Sequence, residues 1–252
     1  MDTIERIERT IRVNGADLYV EERGTGEPLV LLHGVAGTSG DFRHVFDVDR
    51  LARSFRVIAP DARGHGRSTN PSEPFTFGGC ARDVLAILDA LGVERAKAVG
   101  VSLGAKTLLH VATRAPERVT AMILVSATPR FPEATRTLFR AAAASEHSAE
   151  EWARMRTLHA HGDEQIARLW ELPRRFADDT SDMNFMPEQL ATITARTLIV
   201  SGDRDPFYPV ELAVDLYRAI PRSSLWVVPE SMHSPIFLSN REAFADEAIR
   251  FL

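Results

Sequence analysis

The chain has 252 residues with a formal net charge of −5, and 44% of it is hydrophobic and 26% charged. That is the balance of a soluble globular protein rather than a disordered or membrane-embedded one. The charge gives no overall attraction to phosphate backbones, which argues against a nucleic-acid partner. The 30 basic residues are almost all arginine, Lys97 and Lys106 being the lysines, and their scatter among acids reads as solvated surface charge. Cys80 is the sole cysteine, so no intrachain disulfide is available. The start is charged, and no apolar run approaches the ~20 residues that span a bilayer. A cytoplasmic protein without membrane contact is expected.

In chain order, two short strands come first, Thr10 to Val13 and Asp17 to Glu22. Asn14 and Gly15 join them, a pair that readily takes the positive φ of a tight hairpin. After Gly24 and Gly26 the run Pro28 to His33 is continuously apolar, as expected for a strand covered on both faces of a parallel sheet. Similar runs recur at Phe55 to Ala59, Ala96 to Val101, Val119 to Val125, Thr197 to Val200 and Leu225 to Val228. Between them, Asp83, Val84, Leu85, Ile87, Leu88 and Leu91 have the spacing of a half-buried helix that Gly92 can close. Strand alternating with helix predicts an α/β fold, a mostly parallel eight-stranded sheet with an antiparallel N-terminal strand.

The alternation stops between about Pro129 and Thr192, where helical stretches such as 141–144 and 150–159 contain no convincing strand. Its apolar side chains, among them Phe139, Trp152, Met155, Leu169, Trp170 and Phe176, predict a small helical cap. The predicted organisation is therefore a core of residues 1–128 and 193–252 with a cap at 129–192.

The chemistry gathers where strands end. Gly100-Val101-Ser102-Leu103-Gly104 lies between an apolar strand and an apolar helical stretch. A sharp turn there strains the serine backbone, and the flanking glycines keep neighbouring chain from colliding with it. A serine hydroxyl is a weak nucleophile at neutral pH and needs a histidine base with a carboxylate behind it. The strand 197–200 ends at Asp203 and Asp205, and the strand 225–228 ends before His233. In a parallel sheet these ends share one edge, where open α/β sheets bind ligands. After the third strand, His33-Gly34-Val35-Ala36-Gly37 can aim backbone N–H groups at a developing oxyanion, the candidates being Val35 and Leu103.

From about Thr10 to Leu252 the chain resembles the α/β-hydrolase superfamily, with the motifs in order Ser, Asp, His. Pro60-Asp61-Ala62-Arg63-Gly64-His65-Gly66-Arg67-Ser68 resembles the family's turn after the fourth strand. The resemblance implies a triad of Ser102, Asp205 and His233, with Asp205 matching the family's Gly-x-x-Asp pattern, and no cofactor or metal. It implies a small-molecule substrate, a small to medium ester first. Lactones, perhydrolase or haloperoxidase chemistry and carbon–carbon cleavage use the same triad, and a ligand-sensing protein with slow turnover is the alternative of another class. Ala105 and Met232 depart from glycines common in the family.

His33, Gly34, Trp152, Trp170 and Phe207 are candidates for the substrate pocket, although spacing favours the cap's own core for the two tryptophans. His159-Ala160-His161-Gly162-Asp163 approaches a metal-ligand run, but a helical context suits surface or pocket-rim histidines better than a metal site. His65 reads as a hydrogen-bonded loop residue.

Overall fold

The computed structural model describes residues 4–71 and 74–252. Eight strands, β1 (Arg6–Val13), β2 (Ala16–Arg23), β3 (Glu27–Leu32), β4 (Phe55–Pro60), β5 (Ala96–Val101), β6 (Val119–Val125), β7 (Arg196–Gly202) and β8 (Ser223–Val228), form one sheet in the order β1-β2-β4-β3-β5-β6-β7-β8. β2 pairs antiparallel with both β1 and β4, and every other pairing is parallel. This is the α/β architecture that the alternating pattern predicts.

The helices, in chain order, are α1 (Val48–Ala52), α2 (Phe77–Ala90), α3 (Leu103–Arg114), α4 (Glu133–Ala143), α5 (Ala149–Leu158), α6 (Gly162–Asp178), α7 (Pro187–Leu190), α8 (Val210–Ala219) and α9 (Arg241–Phe251). The strict alternation of side chains along a strand splits the core into two layers. Val30 and Leu32 face α2, α3 and α8, whereas Leu29 and Leu31 face Leu51 of α1 and Phe244 of α9.

β1 begins four residues before its predicted start at Thr10. Arg6, Glu8 and Arg9 hide it from an apolar-pattern reading, because an edge strand carries charge to discourage further pairing. Arg9 pairs with Glu22 across the hairpin at 2.8 Å. Asn14 and Gly15 take the expected positive φ, 47° and 76°.

Between β6 and β7 the chain is helical, α4 to α7, apart from a single bridge between Arg130 and Asn184. Its buried side chains Phe131, Phe139, Met155, Leu169 and Phe176 belong to the same apolar cluster as Phe77 of α2 and Leu108 of α3. The inserted helices therefore share a core with the sheet. Polar contacts also fix them: Asp182 accepts from the Gly78 N–H at the start of α2, and the buried Arg136 donates to the carbonyls of Phe131, Phe176, Ala177 and Asp179, satisfying the C-terminal end of α6.

Beneath the turn after β4, Arg63 makes a fork to Asp83 of α2 with contacts of 2.6 and 2.7 Å, both side chains being buried. Asn14 of the first hairpin donates to the same carboxylate at 2.9 Å. Removing one charge of a buried pair leaves the other poorly compensated. Asp83→Ala should cost about 3–5 kcal/mol, read as a lowered midpoint in urea denaturation.

Candidate active site

β5 ends at Val101, and Ser102 takes φ 50° and ψ −99° before α3 begins at Leu103. This is a backbone region that residues with a Cβ avoid, so the surroundings must hold it. The Ser102 N–H donates to the Val125 carbonyl of β6 at 2.8 Å, and the Gly104 N–H donates to the His33 carbonyl at 3.0 Å. A Cβ at Gly104 would strike the Leu32 carbonyl, and one at Gly100 would strike Gly104. Only chain without side chains at both places lets α3 come this close to β3 and β5.

The side chain of Ser102 faces the loops that follow β7 and β8. Its Oγ lies 2.9 Å from His233 Nε2, and His233 Nδ1 lies 2.7 Å from Asp205 Oδ2. The Asp205 side chain is 0% exposed. Its other oxygen accepts the N–H groups of Phe207 and Tyr208 at 2.8 and 3.1 Å, which fixes the plane of the carboxylate. With that carboxylate at Nδ1, the imidazole carries its proton there and turns the Nε2 lone pair to the serine hydroxyl. The rings of Phe207 and Tyr208 stand nearly perpendicular to the imidazole, at 5.3 and 5.2 Å between centroids.

Asp203, the rival carboxylate, is exposed and accepts from the Ser231 N–H at 3.0 Å, so it ties the β7 loop to the β8 loop. That backbone hydrogen bond holds its carboxyl below the ordinary value. Ser126, at the end of β6, accepts from the Ser234 N–H at 2.9 Å and steadies the same loop from below. Met232 is 58% exposed beside His233, and Ala105 is buried in α3.

The loop after β3 lies against the serine: a Cβ built at Gly34 would sit 3.8 Å from Ser102 Cβ. The Gly37 N–H closes a turn onto the Gly34 carbonyl at 3.1 Å, with Val35 inside it. Leu103 opens α3, so its N–H is among those a helix leaves without an intrahelical acceptor. His33 is buried under this loop. It donates from Nδ1 to the Gly34 carbonyl at 2.7 Å and accepts at Nε2 from the Ala62 N–H at 2.9 Å.

Other expected residues fall elsewhere. Trp152 and Trp170 meet edge to face at 4.4 Å, His147 stacks on Trp170 at 3.7 Å, and Arg156 lies over Trp152. Their ring partners among the described residues are one another and these neighbours, because the two rings fill the junction of α5 and α6. Phe207 alone of the expected aromatic residues touches the imidazole. His65 is fully buried and donates from Nδ1 to the Arg63 carbonyl at 3.0 Å, and burial drives its pKa well down. His159 and His161 turn away from each other's chemistry toward backbone. His159 Nδ1 accepts from the Gly66 N–H at 2.8 Å, and His161 Nε2 meets the Arg67 carbonyl at 3.0 Å.

One residue of the site contradicts its expected place outright. Lys106, read as a solvated surface charge, is 1% exposed. Its Nζ donates to the Tyr208 hydroxyl at 2.9 Å and lies 3.4 Å from Ser102 Oγ. The available signal was its position: four residues after Ser102 on a helix, inside the apolar stretch from Leu103 to Leu109, it must share the serine's face. Burial lowers its pKa from 10.5 to about 7, against the opposing pull of the Asp205 charge. Burial first, and then the same carboxylate, pushes the Tyr208 hydroxyl well above its ordinary range.

The profile of the alpha/beta hydrolase fold matches residues 27–239. The chain belongs to the α/β-hydrolase family. A pimeloyl-[acyl-carrier protein] methyl ester esterase of Nitrosomonas europaea is 29% identical over 91% of this chain and 97% of its own. A 2-hydroxy-6-oxo-6-(2'-aminophenyl)hexa-2,4-dienoic acid hydrolase of Metapseudomonas resinovorans is 24% identical over 98% and 91%. Among solved structures, a hydrolase from Pseudomonas aeruginosa superposes with a TM-score of 0.79 and 24% identity, covering 97% of both chains, a likeness of fold.

The buried lysine has a consequence for stability in this α/β hydrolase. The folded chain releases the Lys106 proton from about pH 7, whereas an unfolded lysine keeps it to about 10.5. Unfolding therefore binds a proton in that window, and stability rises with pH across it. Lys106→Met should flatten that rise and raise the urea midpoint most below pH 7, measured against the unsubstituted protein at matched pH.

Proposed function

We propose that this α/β hydrolase is a serine esterase that cleaves a small to medium ester through an acyl-enzyme. The observation that carries the reading is the unbroken chain from buried Asp205 through His233 to Ser102, with contacts of 2.7 and 2.9 Å. In this reading Ser102 Oγ attacks the acyl carbonyl while His233 Nε2 takes its proton, and Asp205 steadies the imidazolium. The carbonyl electron pair moves onto oxygen, where the Val35 and Leu103 N–H groups receive it. The positive end of α3 points at the same place. Collapse expels the alcohol with a proton from His233. Water then attacks the acyl group by the reverse steps, with His233 as base again.

Two observations support an ester with an apolar part. Phe207 and Tyr208 flank the imidazole, and Phe139 and Phe131 continue the aromatic wall at 5.7 and 6.1 Å from them. A relative that spans nearly the whole chain bears the name of a methyl ester esterase. Residues 129–192 act as the cap over a core of 1–128 and 193–252, and the cap aromatics Phe131 and Phe139 select the acyl or alcohol group.

Turnover of p-nitrophenyl butyrate tests the assignment. Ser102→Ala should fall to the background of the uncatalysed reaction. Asp205→Asn should lower kcat by about 10⁴, as expected when the base takes the wrong tautomer, whereas Asp203→Asn should keep most of it. Full turnover in Ser102→Ala would end the proposal.

A further inference from the structure

Lys106 occupies the second turn's start in α3, its backbone N–H bonded to the Ser102 carbonyl at 3.0 Å. Its ammonium sits in an aromatic box, over the rings of Tyr208, Phe77 and Phe131 at 4.8, 5.4 and 5.8 Å from their centroids. Nothing about packing requires a charge there, since a methionine, one atom shorter, fills most of the same space with no desolvation penalty. The ammonium's polar neighbours are the Tyr208 hydroxyl and Ser102 Oγ. A hydroxyl that gives its proton to His233 Nε2 still has lone pairs free to accept from a second donor.

We propose that Lys106 is a further catalytic residue, its Nζ–H group hydrogen-bonding Ser102 Oγ and stabilising the charge that develops there. The inference rests on the reading of Ser102 as the nucleophile. As His233 takes the hydroxyl proton, negative charge grows on Oγ beside the ammonium. When the Oγ–carbon bond forms, that charge passes to the carbonyl oxygen. In deacylation water supplies the new bond, the Oγ–carbon bond breaks, and Oγ again carries developing charge until His233 returns its proton. Lys106 keeps its own protons throughout and serves both half-reactions.

The 3.4 Å contact is long for a hydrogen bond, as such contacts often are before substrate binds, and the developing charge draws it in. The charged or titratable groups that face the ammonium are Ser102 on its own helix, Asp205 and Tyr208 from the loop after β7, and His233 through Ser102 from the loop after β8. From α4, Arg136 lies 5.9 Å from the centre of the Phe131 ring. From α2 the neighbour is the uncharged Phe77 ring. Burial lowers the lysine pKa to about 7, so the ammonium is lost on the alkaline side of neutrality.

The test is the rate of fluorophosphonate labelling between pH 5 and 10, with the labelled peptide located by mass spectrometry, for the unsubstituted protein, Lys106→Met and Tyr208→Phe. Steady-state kcat and KM on p-nitrophenyl butyrate accompany it. The unsubstituted protein should label at Ser102, with a rate that falls on the alkaline side as Lys106 loses its proton. Lys106→Met should label about tenfold more slowly, less than the loss of a fully formed oxyanion donor, with KM within about twofold and the alkaline fall gone. Tyr208→Phe keeps the lysine but removes the acceptor that favours its charged form, so the alkaline fall should move to lower pH. Labelling of Lys106→Met at an undiminished rate with the alkaline limb intact overturns the role of Lys106, as does an unmoved limb in Tyr208→Phe. Absence of label on Ser102 in the unsubstituted protein overturns the nucleophile reading itself.

Discussion

The strained backbone of Ser102 is the constraint on which the site depends. A residue with a Cβ at φ 50° and ψ −99° stays there only while its neighbours leave no alternative. Here β6 takes the Ser102 N–H, the His33 carbonyl takes the Gly104 N–H, and α3 presses on Leu32 through a glycine. The same contacts locate three other parts. They bring the Gly34 loop against the serine, aim the first amide of α3 outward, and start a helix whose next turn delivers Lys106. Further residues with positive φ, Ala36, Ser126, Glu230 and Ser234, lie in the loops that meet here. Strain is thus gathered along the sheet edge where strands end, and the packed strands below hold it.

The loops after β7 and β8 solve the complementary problem, holding two side chains 28 residues apart in contact at 2.7 Å. Each loop has a polar tie of its own. Asp203 binds the Ser231 N–H, Ser126 binds the Ser234 N–H, and Asp205 is held by two amides of its own loop. The imidazole is then confined by carboxylate, hydroxyl and two perpendicular rings. On the proposed esterase reading, such a group has little freedom to lose when substrate arrives, which is the form of preorganisation that lowers a barrier.

Much of this was legible in the sequence because it obeys rules of strand and turn. Apolar runs at regular intervals mark the sheet, and each candidate for the hydrogen-bonded chain follows directly after such a run. Asp203 and Asp205 remained distinguishable only by resemblance, since both suit a turn, and burial separates them. What escaped was the burial of three cations. Lys106, Arg63 and Arg136 look like ordinary surface cations by type, and their partners are remote in sequence or are backbone carbonyls. The first four residues of the edge strand β1 escaped for the mirror-image reason, charge placed where an apolar pattern is sought. Trp152 and Trp170 show the limit of spacing: it marks the side of a helix that is covered, without saying whether protein or ligand covers it.

The inserted helices are tied to the chemistry by more than apolar contact. His159 accepts the Gly66 N–H and meets the Ala36 carbonyl at 3.3 Å, so one imidazole of the insertion joins the turn after β4 to the loop that carries Val35. Burial lowers its pKa, keeping it neutral and its Nδ1 available as an acceptor near neutral pH. Thr135 of α4 donates to the Phe207 carbonyl, in the loop that bears Asp205. Both loops that flank Ser102 are therefore braced by the same insertion. On the proposed esterase reading, a change in the insertion that alters which substrate fits also acts on the loop after β3 and the loop after β7. The insertion thus reaches the surroundings of Ser102 through His159 on one side and Thr135 on the other.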